Sequence, residues 1–82
     1  MKKIKKNIPE CMVGELLIYI EDQSPCCIEW VNINSPTNDD VNYVYITWPD
    51  WYYGNYSFNE CRKLFYSTGK FSKKPIYEKW VK

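Results

Sequence analysis

Three short runs of β-branched and aromatic residues, set only a few residues apart, limit the folds open to this chain. Leu16 to Ile20, Cys27 to Ile33 and Val41 to Trp48 each have the composition of a strand. The first gap is Glu21-Asp22-Gln23-Ser24-Pro25, and the second is Asn34-Ser35-Pro36-Thr37-Asn38-Asp39-Asp40. Both gaps are dense in turn formers. Parallel pairing needs a crossover of about a dozen residues or more, so these strands are expected to form an antiparallel meander. Pro49-Asp50 stops the third run. Trp51 to Tyr56 fits two readings: a fourth strand that turns at Gly54-Asn55, or an aromatic loop.

The helix signal comes next. Ser57-Phe58-Asn59-Glu60 matches a capping box, in which the serine hydroxyl and the glutamate each satisfy an orphan backbone N–H. Phe58, Cys61, Leu64 and Phe65 then fall on one helical face, and Gly69 sits where a C-cap would stand. Pro75 is placed to open a last short helix with Ile76, Tyr77, Trp80 and Val81 as its apolar stripe. The expected fold is a small α+β domain of two layers. An antiparallel meander of three to four strands is packed by one main carboxyl-terminal helix plus a short terminal helix. Residues 1–9 read as a flexible basic lead-in and residues 10–82 as the single domain. A chain of 82 residues buries only about 60% of the surface its unfolded form exposes, so its core is small.

Strand alternation assigns faces. Val44, Ile46 and Trp48 share one side of the third strand, and Tyr43, Tyr45 and Thr47 share the other. In the first strand Leu16, Ile18 and Ile20 oppose Leu17, Tyr19 and Glu21. The aliphatic sets are expected under the helix. That leaves Tyr19, Tyr43 and Tyr45 on an open face, flanked by Glu21, Glu29 and the Asp39-Asp40 loop. The second strand has apolar residues on both sides: Ile28 and Trp30 on one, Val31 and Ile33 on the other with Glu29.

The formal net charge of +1 conceals a sorted distribution. From Asn7 to Glu60 there is no lysine or arginine, while that stretch holds Glu10, Glu15, Glu21, Asp22, Glu29, Asp39, Asp40, Asp50 and Glu60. The cations lie at Lys2, Lys3, Lys5 and Lys6 and then from Arg62 onward. Such a field bears on the choice of partner rather than on the fold.

The residue types speak against catalysis. Histidine is absent, and with it the commonest acid–base group. None of Cys11, Cys26, Cys27 and Cys61 has a histidine to activate it. The cysteines lack CxxC spacing, and the adjacent Cys26 and Cys27 point to opposite faces if extended. They read as buried thiols. No metal and no cofactor is expected. The charged amino terminus is not followed by an apolar signal core, and no run approaches the ~20 apolar residues of a membrane span. The chain therefore reads as cytoplasmic.

Two functional readings follow. In the first, the chain is a non-catalytic protein-binding module. Tyr19, Glu21, Glu29, Asp39, Asp40, Tyr43, Tyr45, Asp50, Trp51 and Tyr52 dock onto a basic surface of another protein. The absence of alanine and the wealth of Asn, Ile, Lys and Tyr fit an AT-rich, mobile-element source. By analogy with small phage-like inhibitors, the target would be the nucleic-acid groove of a host protein such as a defence nuclease. In the second reading, the chain binds nucleic acid or a nucleotide signal through Arg62, Lys63, Lys70, Lys73, Lys74 and Trp80. Exposed sheet edges and surplus aromatics also make a homo-oligomer plausible.

Overall fold

A computed structural model describes residues 7–72. Over these residues the chain forms β1 (Glu15–Tyr19), β2 (Pro25–Asn32), β3 (Tyr43–Thr47), β4 (Tyr53–Ser57), α1 (Phe58–Leu64) and β5 (Phe65–Phe71), with a single 3-10 turn at Asp39–Val41. All neighbours in the sheet are antiparallel, in the order β4-β3-β2-β1-β5. The first four strands are the meander that the short turns require. The chain then crosses through α1 and lays β5 along the free edge of β1. The fold is thus a small α+β domain of two layers, with five strands rather than three or four.

Both extra strands come from the aromatic link and the helix tail. Gly54 and Asn55 are not a turn; they lie inside β4, opposite Ile46 and Tyr45. The capping box forms as its residues dictate. Ser57 Oγ accepts from the Glu60 N–H at 3.1 Å, and Glu60 Oε1 accepts from the Ser57 N–H at 3.0 Å. The helix ends at Leu64, however, well short of Gly69. Phe65-Tyr66-Ser67-Thr68 is aromatic and β-prone, and the unpaired edge of β1 offers it a ladder. Phe65 and Ser67 are buried, while Tyr66 and Thr68 point away, a period of two. Gly69, with φ +79°, sits in the bulge where Glu15 pairs with Phe71 but Leu17 pairs with Ser67. There a left-handed backbone lets the longer strand keep register.

Helix α1 covers one face of the sheet. Leu17, Cys26, Ile28, Val44 and Ile46 meet Phe58, Cys61 and Phe65 there, with Tyr19, Val31 and Tyr56 packed around them. The third strand follows expectation: Val44, Ile46 and Trp48 are buried. The first strand is reversed. Leu17 is fully buried and Tyr19 joins the core, whereas Ile20 is exposed. Glu15 shares the core side and is fully buried. Its Oε1 accepts from the N–H groups of Cys11 (2.8 Å) and Met12 (3.3 Å), and its Oε2 from that of Glu10 (3.0 Å). A carboxylate held by three backbone donors can occupy a position that alternation would give to an aliphatic residue.

In β2 the register shifts between Ile28 and Trp30, which makes Glu29 a bulge. The extra residue lets both Ile28 and Val31 face the core and turns Trp30 outward. At the amino-terminal end, the Asn7 carbonyl accepts the Ser67 N–H at 2.8 Å, and Pro9 is buried. The last three residues of the expected lead-in thus run against the sheet. Residues 1–6 and the expected terminal helix from Pro75 lie outside the described residues.

Candidate functional site

On the face away from α1, three rings form a row across three strands. Trp30 of β2 stacks on Tyr45 of β3, with centroids 5.5 Å apart and planes within 15°. Tyr45 meets Tyr53 of β4 at 5.4 Å and 35°. Register explains the row. Trp30 stands directly opposite Tyr45, and Tyr53 stands opposite Thr47, the diagonal neighbour on the same face. The rings border a concavity of about 390 Å³ that also takes in Glu29, Thr47, Trp48 and Trp51. The bulge delivers Glu29 to this hollow, and Thr47 Oγ1 donates to its Oε2 at 2.9 Å.

A smaller hollow of about 140 Å³ lies beside it, lined by Tyr19, Asp22, Trp48, Asp50 and Tyr52. Trp48 lines both. Its indole N–H donates to Ser24 Oγ at 2.9 Å, and the Ser24 hydroxyl donates to Asp22 Oδ1 at 2.6 Å. Tyr19 and Tyr52 meet the Trp48 ring edge-on at 5.8 Å and 5.1 Å. In a meander the β1–β2 and β3–β4 turns lie at the same end of the sheet, which gathers Glu21, Asp22 and Asp50 with these aromatics. The hydrogen bonds from Ser24 hold Asp22 below the usual carboxylate range. The Tyr19 hydroxyl donates to Glu21 Oε1 at 3.0 Å, which raises the tyrosine above its ordinary value.

The turn between β3 and β4 carries a backbone outlier. Trp51 has φ +74° and is 63% exposed. Its N–H donates to the Trp48 carbonyl, the Trp48 N–H to the Tyr52 carbonyl, and the Tyr52 N–H to Asp50 Oδ1. A left-handed conformation is costly for a bulky residue, by about 1–3 kcal/mol. Tyr52 and Tyr53, which follow, are as exposed as Trp51.

The expected docking residues are therefore divided. Tyr19, Glu21, Asp50, Trp51 and Tyr52 come together at one end, and Glu29 and Tyr45 adjoin them on the open face. Tyr19 arrives from the core side of β1, not beside Tyr45 as alternation suggested. Tyr43 is exposed but lies towards the other end of β3, opposite Asn32 and Ser57. Asp39 and Asp40 are at that far end and engage α1. Arg62 Nη1 donates to Asp39 Oδ2 at 2.7 Å, and Asn59 Nδ2 to Asp40 Oδ1 at 2.6 Å. The Arg62 hydrogen bond lowers Asp39 below its ordinary range. Trp30, Asp22, Thr47, Trp48 and Tyr53 are the residues that sequence reasoning missed. Recognising β4 would have brought in Tyr53; no pattern announces the Glu29 bulge that turns Trp30 outward.

Of the alternative basic set, Arg62 is held by Asp39 and lies over the Phe58 ring at 5.8 Å. Lys63 and Lys70 are exposed, while Lys73, Lys74 and Trp80 lie outside the described residues. All four cysteines are buried free thiols. Burial pushes Cys26 up, and the hydrogen bond shared with Cys11, reinforced by burial, pushes Cys61 up. Both are thereby kept from the reactive thiolate form. Among the described residues no helix is long and apolar enough to cross a membrane. Comparison with known protein families, with curated proteins and with solved structures finds no match.

Proposed function

We propose that this chain is a non-catalytic protein-binding module whose acidic, aromatic end docks onto a basic surface of another protein. The observation that carries this reading is Trp51, 63% exposed in a backbone conformation that folding alone disfavours, with Tyr52 and Tyr53 exposed beside it. Each such ring leaves unrealised a good part of the roughly 1.5–3 kcal/mol that fully burying a large apolar side chain contributes. Exposed Trp and Tyr in a cluster are the usual anchors of an interface core. Among the described residues, the lining of both hollows comes from the stretch without lysine or arginine, and it includes Glu29, Asp22 and Asp50. That charge favours a cationic partner and disfavours phosphate.

The partner class that fits is a protein with a basic, nucleic-acid-binding surface. Docking there would compete with nucleic acid, which is the action of an inhibitor. The compositional signs of a mobile element make a host defence nuclease a reasonable target, and the cytoplasm the place of action.

The test compares immobilised full-length protein with its Trp51→Ala/Tyr52→Ala variant in nuclease-treated host lysate. A protein retained by the first, lost by the second and released as salt rises is the expected result. Equal retention by both would remove this end from the interface. Recovery of nucleic acid alone, from untreated lysate, would transfer the function to the basic residues from Arg62 onward.

A further inference from the structure

We propose that the outer edge of β4 pairs with the β4 edge of a second copy of this chain. The two strands run antiparallel about a two-fold axis at Gly54 and join two sheets into one. β4 is the last strand on its side of the sheet, and among the described residues no strand lies beyond it.

The register fixes which backbone groups point outward. β3 and β4 pair without a shift, from Tyr43 opposite Ser57 to Thr47 opposite Tyr53. Just past these two ends, the Phe58 N–H donates to the Asn42 carbonyl and the Trp48 N–H to the Tyr52 carbonyl, each at 2.8 Å. In an antiparallel ladder, hydrogen-bonded pairs alternate with pairs that exchange no bond. Gly54 and Tyr56 therefore bond inward, to Ile46 and Val44. Tyr53, Asn55 and Ser57 turn their N–H and C=O groups away from β3. The Ser57 N–H donates to Glu60 Oε1 at 3.0 Å, and its carbonyl serves the helix it caps. Tyr53 and Asn55, both exposed, leave two N–H groups and two carbonyls along the edge.

Three observations select a second copy as the occupant. Those four groups are self-complementary. With Gly54 facing the partner's Gly54, Tyr53 stands opposite the partner's Asn55, and Asn55 opposite the partner's Tyr53. Both are hydrogen-bonded pairs, so four bonds form and each outward group is used. The edge is also uncharged from Tyr53 to Ser57, with Asp50 and Glu60 the nearest carboxylates in the chain. Two copies can approach without setting like charges opposite each other, which would be destabilising. Thirdly, the sheet guards its other edge. There β5 carries a bulge and the exposed Lys70, and Asn7 pairs with Ser67. Such devices stop a sheet from adding strands, and β4 has no lysine, proline or bulge. On the open face, Tyr53 and the partner's Tyr53 become diagonal neighbours, within reach of large side chains. The row of Trp30, Tyr45 and Tyr53 would then continue across the axis.

The test follows the full-length protein by sedimentation velocity from about 1 μM to about 1 mM, the range in which a weak interface fills. The mass should rise from 9.9 kDa towards twice that value. Amide exchange at the two ends of the series locates the contact. The Tyr53 and Asn55 amides should slow as concentration rises, while those of Gly54 and Tyr56, already bonded to β3, change far less. Asn55→Pro removes one outward N–H from each copy, at a place where an edge strand tolerates proline. It should weaken association at least tenfold, because two of the four bonds are lost. Asn55→Lys keeps the backbone intact and should weaken association through an edge charge, whether or not the proline variant folds.

A single 9.9 kDa species across the whole series would overturn the proposal. So would a dimer that neither variant weakens, or one whose Tyr53 and Asn55 amides exchange as they do in the monomer. Protection of those two amides only by an added extended peptide would give the edge to a different chain, and the second copy would fall.

Discussion

Replacing Glu15 with alanine should cost this small domain a large part of its stability. The carboxylate is fully buried and accepts three backbone N–H groups, at 2.8, 3.0 and 3.3 Å. Hydrogen bonds to charged groups contribute about 1.5–3 kcal/mol each, and a buried donor left alone costs a comparable amount. The three donors differ in what remains to them. Glu10 and Met12 are exposed residues whose N–H groups can turn to water, while Cys11 is buried at 4% exposure. Counting one stranded donor fully and two in part gives a loss of about 3 kcal/mol. In a domain of this size that corresponds to a fall in melting temperature of roughly 12–24 °C.

Glu15→Gln keeps one carbonyl oxygen for Cys11 and Met12 but turns an amide donor towards the Glu10 N–H, so about half that loss is expected. Urea unfolding would give the ordering, and hydrogen exchange would localise it. The amides of Glu10 to Met12, and that of Ser67 paired to Asn7, should lose protection first. A Glu15→Ala protein within about 0.5 kcal/mol of the wild type would refute the reasoning, as that is the range of an unremarkable surface change.

Two further outcomes are open to direct measurement. Gly14 has φ +88°, and a Cβ there would collide with the Ser72 carbonyl oxygen. Gly14→Ala should therefore loosen the β1–β5 edge at a cost of about 1–3 kcal/mol, read by denaturant titration; an unchanged midpoint would mean the strand ends separate freely. The second concerns acid. Arg62 lowers the folded-state pKa of Asp39, so the carboxylate adds stability above its unfolded pKa and loses it as pH falls through the lowered folded value. Asp39→Asn should flatten stability against pH across that acidic window and leave the curve above it parallel to the wild type. Superimposable slopes would show that the ion pair does not couple to folding.

The sequence carried the meander because turn spacing is a hard geometric limit, and it carried the helix start because a capping box is local chemistry. Val44, Ile46 and Trp48 were placed correctly for the same reason: nothing disturbs the alternation of β3. What stayed hidden depends on distant partners. Glu15 is buried only because the backbone of Glu10, Cys11 and Met12 curls over it. The bulge at Glu29 is visible only in the register against β3. The end of α1 is hidden in the same way, because Phe65 and Leu64 suit a helix until β1 offers an edge. At the site, the pairing of carboxylates with aromatics was legible, and their grouping was not. Asp39 and Asp40 look equivalent to Asp50 in the sequence, and only the fold shows them engaged with Arg62 and Asn59.

The run from Tyr53 to Phe71 contains no connecting residue. Ser57 is at once the last residue of β4 and the cap of α1, and Phe65 is both the helix C-cap and the first residue of β5. One inserted residue would turn the helix face by about 100° or exchange the two sides of a strand, and no loop is there to absorb it. This run should tolerate neither insertions nor deletions. The exposed Pro36-Thr37-Asn38 segment, at the opposite end from Trp51, has the slack that the run lacks. It is the place to graft a fluorophore or affinity handle, because a passenger there would leave the proposed contact end clear.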